Sequence, residues 1–165
     1  MKLELKKIKV NLQFSEETTM FQAELYVNGK SIAYCKNDGR GGCTDYRPHN
    51  KDCFEPLKQA EEYAKSLPKI SYGTFEIDSN LEHWIDREIE NYLKRKEEKK
   101  MDKLMETNIV FGKPNGMTYS YVGFKGKPKL SELKKTQKGL EALNKLISNV
   151  KSKLKTDEVI LNKNI

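Results

Sequence analysis

The chain has 165 residues, 33% charged and 36% hydrophobic, with a formal net charge of +7. One domain of this length buries about two thirds of the surface of its unfolded chain, without metal or disulfide support. No apolar run approaches the ~20 residues that cross a bilayer, and Met1–Lys7 lacks the apolar centre of a signal peptide. Three cysteines, an odd number, suit a reducing compartment, so a cytoplasmic protein with free thiols is expected.

Residues 3–14 read as a strand, since Ile8, Val10, Leu12 and Phe14 alternate with polar residues. Leu3 and Leu5 fall in the opposite phase, which calls for a bulge at Lys6-Lys7 or a later strand start. Ser15–Thr18 is a polar connection. Asn28-Gly29 is the preferred dipeptide of a type I′ turn, and with Phe21, Leu25, Val27, Ile32 and Tyr34 around it the segment predicts a β-hairpin. A glycine-rich stretch, 36–46, leaves its second strand.

A short helix is predicted over 55–67, with Pro56 at its first position and Leu57, Ala60, Ala64 and Leu67 on one face. A brief strand is expected over 70–77, with Gly73 as a bulge. Ser79 and Glu82 have the spacing of a capping box, and Leu81, Trp84, Ile85, Ile89, Tyr92 and Leu93 form the stripe of the helix behind it. Its continuation, residues 95–106, has mixed charges at helical spacing and reads as an exposed extension of the single domain. Pro114-Asn115-Gly116 supplies the turn of a second hairpin between Ile109–Phe111 and the Tyr119, Tyr121, Phe124 strand. Pro128 and Ser131 introduce one long helix with a narrow stripe at Leu133, Leu140, Leu143, Ile147, Val150 and Leu154, which permits a dimer without demanding one. Gly139 interrupts that helix at a cost of about 1 kcal/mol relative to alanine. Val159–Leu161 reads as a terminal strand. The sum is an α+β domain of antiparallel hairpins with helices packed on them.

Three groups of residues invite a chemical reading. In the glycine loop, Asn37, Asp38, Gly39, Arg40, Gly41, Gly42, Thr44 and Tyr46 are the candidate binding residues. Consecutive backbone amides can cradle an anion and Arg40 can clamp a phosphate or carboxylate. The bland alternative is that these glycines only supply positive φ. Neither a Walker A loop nor a dinucleotide fingerprint is present. Lys113, Asn115, Tyr119 and Tyr121 form a second candidate surface, because aromatics beside lysines on a strand can stack bases; the alternative is that both tyrosines cover the core. Cys35, Cys43, His49 and Cys53 fall within nineteen residues, but their spacing lacks a C-x₂₋₄-C pair, so no metal and no cofactor is assigned. Residues 125–165 hold eleven lysines against four acidic residues, while residues 1–124 are balanced. That basic quarter suits nucleic acid, a phosphorylated ligand or an acidic protein, or is simply a solvated helix face. No nucleophile–base pair or carboxylate pair is marked, so an enzyme is not expected.

The segments "YCKNDGRGGCTDY", "FGKPNGMTYSY" and "VILNKNI" together resemble small proteins encoded by bacteriophages, prophages and other mobile elements, a group with no established catalytic activity. The resemblance implies a non-enzymatic accessory protein in the bacterial host cytoplasm, binding and inhibiting a host defence or regulatory complex. Nucleic acid bound by the basic quarter, or a nucleotide captured by the glycine loop, stand as alternatives.

Overall fold

The structure is a computed structural model and describes every residue except Tyr72, Asn115, Met117 and Asn164. It is an α+β fold with antiparallel sheets. The chain divides into two compact units, Met1–Lys94 and Arg95–Ile165.

The first unit is built on a four-stranded sheet in the order β1-β2-β3-β4, formed by Leu3–Val10, Phe21–Val27, Lys30–Asn37 and Asp45–Pro48. Lys7 has a φ of 51°, and the β1–β2 register shifts between Lys6 and Lys9. This bulge turns Leu3 and Leu5 to the same core as Ile8 and Val10, despite their opposite phases. The strand ends sooner than its alternation suggests. The Asn11 side chain accepts from the Gln13 amide and starts a 3₁₀ turn at Leu12–Phe14, leaving Leu12 64% and Phe14 62% exposed. The expected hairpin forms, with φ of 49° at Asn28 and 84° at Gly29. Ile32 is an extra residue in β3, since Leu25 pairs with Ala33 and Tyr26 with Ser31. Ile32 and Ala33 are therefore both buried, and Tyr34 points out of the core rather than into it.

Helix α1 (Phe54–Lys65) begins earlier than expected, so Pro56 is its third residue, still within the first turn where no amide is needed. Leu57, Ala60 and Ala64 are buried as its pattern implies. Residues 70–77 are not one strand but two short ones, β5 (Ile70–Ser71) and β6 (Glu76–Ile77), paired antiparallel around Gly73. Helix α2 (Leu81–Met105) runs from the first unit into the second. The capping box does not form. Asn80 Oδ1 accepts from the His83 amide at 2.7 Å, while buried Ser79 donates to the Pro68 carbonyl at 2.6 Å. Leu81, Ile85 and Ile89 complete the first core with Phe21, Leu25 and Ile32.

In the second unit a three-stranded sheet has the order β8-β7-β9, from Tyr119–Gly123, Asn108–Gly112 and Val159–Ile160. Asn162 secures its edge by accepting from the Val110 amide at 2.7 Å and donating to the Asn108 carbonyl at 2.8 Å. The one long helix expected after Pro128 is instead two, α3 (Leu130–Leu133) and α4 (Gln137–Lys151). Thr136 caps α4 by accepting from the Gly139 amide at 3.1 Å. A Cβ at Gly139 would overlap the Leu133 carbonyl oxygen and the Thr136 hydroxyl. Glycine is thus required by the break, not tolerated within a continuous helix. Leu143 and Val150 of α4 pack with Ile109 and Leu130, whereas Leu140 is 37% exposed. Among the described residues no helix is long and apolar enough to cross a membrane.

Gly139→Ala is expected to destabilise the protein by about 1–3 kcal/mol, the usual cost of overpacking, although alanine is the better helix former. Chemical denaturation of both proteins measures it, and unchanged or raised stability would contradict the need for close approach at the α3–α4 break.

Candidate functional site

The glycine loop connects β3 to β4 and is organised by one side chain. Asn37, the last residue of β3, is 6% exposed and makes four hydrogen bonds. Its Oδ1 accepts from Thr18 Oγ1 and from the Gly39 amide, both at 2.8 Å. Its Nδ2 donates to the Gly42 carbonyl at 2.9 Å and to Thr44 Oγ1 at 3.3 Å. The amide group is saturated. Gly39, at a φ of 83°, turns its carbonyl toward the amides of Glu16, Glu17 and Thr18. The Gly41 amide donates to Thr18 Oγ1 at 3.2 Å. Two of the amides that were candidates for an anion cradle are therefore already bonded to the protein's own Asn37 and Thr18.

The far end of the loop is tied to helix α2. Buried Thr44 donates its amide to Glu82 Oε1 at 3.0 Å and its hydroxyl to Asp86 Oδ1 at 2.5 Å. Burial, reinforced by the nearby Glu82 charge, raises the Asp86 carboxyl above its ordinary range, while the Thr44 hydrogen bond opposes that shift. Tyr46, on β4, packs against the core. Burial together with the charge of Glu61 pushes its hydroxyl up to about 12.

Two clefts border the loop. One of about 460 Å³ is lined by the carboxylates of Glu16, Glu17, Asp86 and Glu90, with no basic residue. The other, about 550 Å³, joins Phe14 and Met20 to Arg40, Asp38 and Cys43. Asp38 pairs with Lys36 at 3.5 Å, and Arg40 is exposed, with no ion pair among the described residues. A phosphate here would meet one guanidinium and several carboxylates, which is the wrong balance for anion capture. Asn37, Gly39, Thr44 and Tyr46 serve the architecture. Asp38, Arg40, Gly41 and Gly42 are what the loop offers outward.

The second candidate surface lies in the other unit. Tyr121 pairs across from Val110 and Tyr119 from Gly112, so both tyrosines share one face of β8. The opposite face carries Val122, Ile109, Phe111 and Ile160, which pack on the helices. The tyrosines lie on the face away from that cluster, beside the fully buried Val110, with Tyr119 half-buried and Tyr121 exposed. Lys113 pairs with Asp157 at 2.5 Å, and Asn115 lies outside the described residues.

The cysteines are dispersed. Cys35 and Cys53 are buried, Cys43 is exposed, and burial pushes the Cys35 thiol up to about 12. Among the described residues no group of three His, Cys, Asp or Glu side chains is placed to hold a metal ion. One cluster was not legible in the sequence: Ser31 Oγ stands 3.0 Å from Glu24 Oε2 and 2.9 Å from His49 Nε2. A serine hydroxyl has one proton. With it donated to Glu24, which Lys7 also holds at 2.9 Å, His49 Nε2 must carry the hydrogen toward Ser31. In that arrangement His49 is a donor to Ser31 and not its base.

Other contacts invisible in the sequence are Glu82 and Asp86 on Thr44, which link residues about forty positions apart. Strand β4 was missed as well, because Asp45–Pro48 has no alternation and a proline at its end. No protein-family model, curated protein or solved structure matches the chain.

Two outcomes are expected. Asp86→Asn keeps an acceptor for Thr44 and removes a partly buried charge. Because the folded-state pKa of Asp86 is raised, its ionisation costs stability as pH rises through the carboxylate range and costs nothing below it. The variant should thus match or exceed the parent in stability at pH 7, with the difference shrinking on acidification; denaturation at several pH values tests this. Second, an aromatic disulfide reagent should titrate one thiol in the native protein, Cys43, and all three after unfolding.

Proposed function

We propose that this protein acts by binding rather than catalysis, and that its ligand is nucleic acid held by residues 95–165. The partition of charge carries the reading. Residues 95–165 contain 17 lysines and arginines against 8 acidic residues, a balance of +9, whereas residues 1–94 contain 14 against 16, a balance of −2. The sequence-level asymmetry therefore sharpens when the division falls at Lys94/Arg95 instead of Lys125. Lys100, Lys113, Lys129, Lys135 and Lys163 are among those that meet carboxylates. Such exposed pairs hold little energy and yield readily to a polyanion. Lys138, Lys145 and Lys151 on α4, and Lys125 and Lys127 beyond β8, are exposed as well. A concentration of like charge of this size attracts phosphates and releases their counterions.

A second reading, in which an accessory protein of a mobile element antagonises a host protein complex, is favoured by one observation in the first unit. Leu12 and Phe14 are exposed large apolar side chains, and Phe14 shares a cleft with Met20 and Arg40. Apolar anchors beside an unpaired arginine are the residue types that dominate protein interfaces.

Fluorescence anisotropy of the full-length protein with a labelled oligonucleotide, repeated from 50 to 200 mM salt, tests the first reading. Contact with about four phosphates of a single strand predicts roughly a 50-fold loss of affinity over that range. Lys125→Glu with Lys127→Glu should flatten the slope. No binding at 50 mM salt, or affinity independent of salt, would remove nucleic acid and leave the protein partner.

A further inference from the structure

Resting on the nucleic-acid reading, we infer that the ligand is a single strand whose bases stack on Tyr119 and Tyr121. The sheet of the second unit is two-faced. Ile109, Phe111, Val122 and Ile160 close one face against Leu130, Leu143 and Val150. The other face carries both tyrosines, Val159 opposite Gly112, and Val110, which is fully buried beside Tyr121. Tyr121 is 60% exposed and Tyr119 half-buried, and neither hydroxyl has a hydrogen-bond partner among the described residues. Tyrosine that serves a fold usually buries its ring or anchors its hydroxyl, and Tyr121 does neither.

Position and charge select the occupant. Side chains two apart on a strand lie about 7 Å from one another, roughly twice the ~3.4 Å per nucleotide of a stacked strand. Successive bases can each meet a ring only if they unstack from one another. A single strand does this at little cost, and a duplex would have to open. Lys125 and Lys127 follow directly from β8, with φ of 85° at Gly126 and 48° at Lys127 turning the chain where it leaves the strand. They place cations at the end of the aromatic row, where a backbone carrying its bases across the tyrosines continues. A nucleic acid strand uses the lysines for its phosphates and the ring faces for its bases.

The test uses the full-length protein, its Tyr119→Ala/Tyr121→Ala and Tyr119→Phe/Tyr121→Phe variants, and three probes of equal length: single-stranded RNA, single-stranded DNA and duplex DNA. The parent should prefer the single strands to the duplex by tenfold or more. The alanine pair should lose about tenfold or more on single strands, with little change on duplex and an unchanged salt slope, while the phenylalanine pair retains parental affinity because the ring, not the hydroxyl, stacks. Equal single-strand affinities for RNA and DNA indicate stacking alone, and an RNA preference adds a 2′-hydroxyl contact; both support the platform. Salt-dependent binding that is indifferent to the alanine pair, or equally weakened on duplex and single strand, would overturn the platform and leave the nucleic-acid reading standing. Absence of binding by the parent to all three probes would overturn both.

Discussion

The carboxamide of Asn37 holds together the most unusual part of the chain. Its four bonds fold seven residues of loop, several of them glycine, into one conformation and join that loop to the Ser15–Thr18 segment and to Thr44. Thr44 then passes the connection to helix α2 through Glu82 and Asp86. A glycine-rich loop loses more conformational entropy on ordering than most, so it needs such a fully satisfied polar centre to stay in a single state. The first unit thus has an apolar core between its sheet and helices α1 and α2, and a polar lock at the sheet's end.

That lock changes how the loop's chemistry reads. Amides that face inward to an asparagine and a threonine cannot also face a phosphate. The carboxylates of Glu16, Glu17, Asp86 and Glu90 around it repel one. The positive field belongs to the other unit, where eight carboxylates stand against seventeen cations. One chain therefore combines a nearly neutral unit in which Leu12 and Phe14 are exposed with a strongly basic unit in which Tyr121 is exposed. On the proposed readings, the charge of the second would meet a polyanion, and the apolar side chains of the first a protein surface.

The Glu24–Ser31–His49 group has the residue types of a catalytic triad in a different order, with serine between the carboxylate and the imidazole. This illustrates how composition alone misleads. Three suitable residues within bonding distance are a polar surface network unless the direction of each hydrogen bond favours the reaction.

Local signals in the sequence determined the α+β class, the Asn28-Gly29 hairpin, the apolar stripe of helix α2 and the terminal strand at Val159, and narrowed the irregularity of β1 to a bulge at Lys6-Lys7 or a later start. Each depends on neighbours a few positions away: turn residues with positive φ, alternation, or helical spacing. The basic character of the C-terminal region was equally legible, since charge is a sum. Tertiary structure decided the rest. Whether Ser79 or Asn80 capped α2 depended on Pro68 offering the serine a buried carbonyl. Whether residues 130–151 formed one helix or two turned on the close approach of Gly139 to Leu133. Whether the glycine loop presented its amides outward rested on Thr18, nineteen residues before Asn37. Long-range hydrogen bonds and close packing have no period along the chain, so only the folded protein could place them.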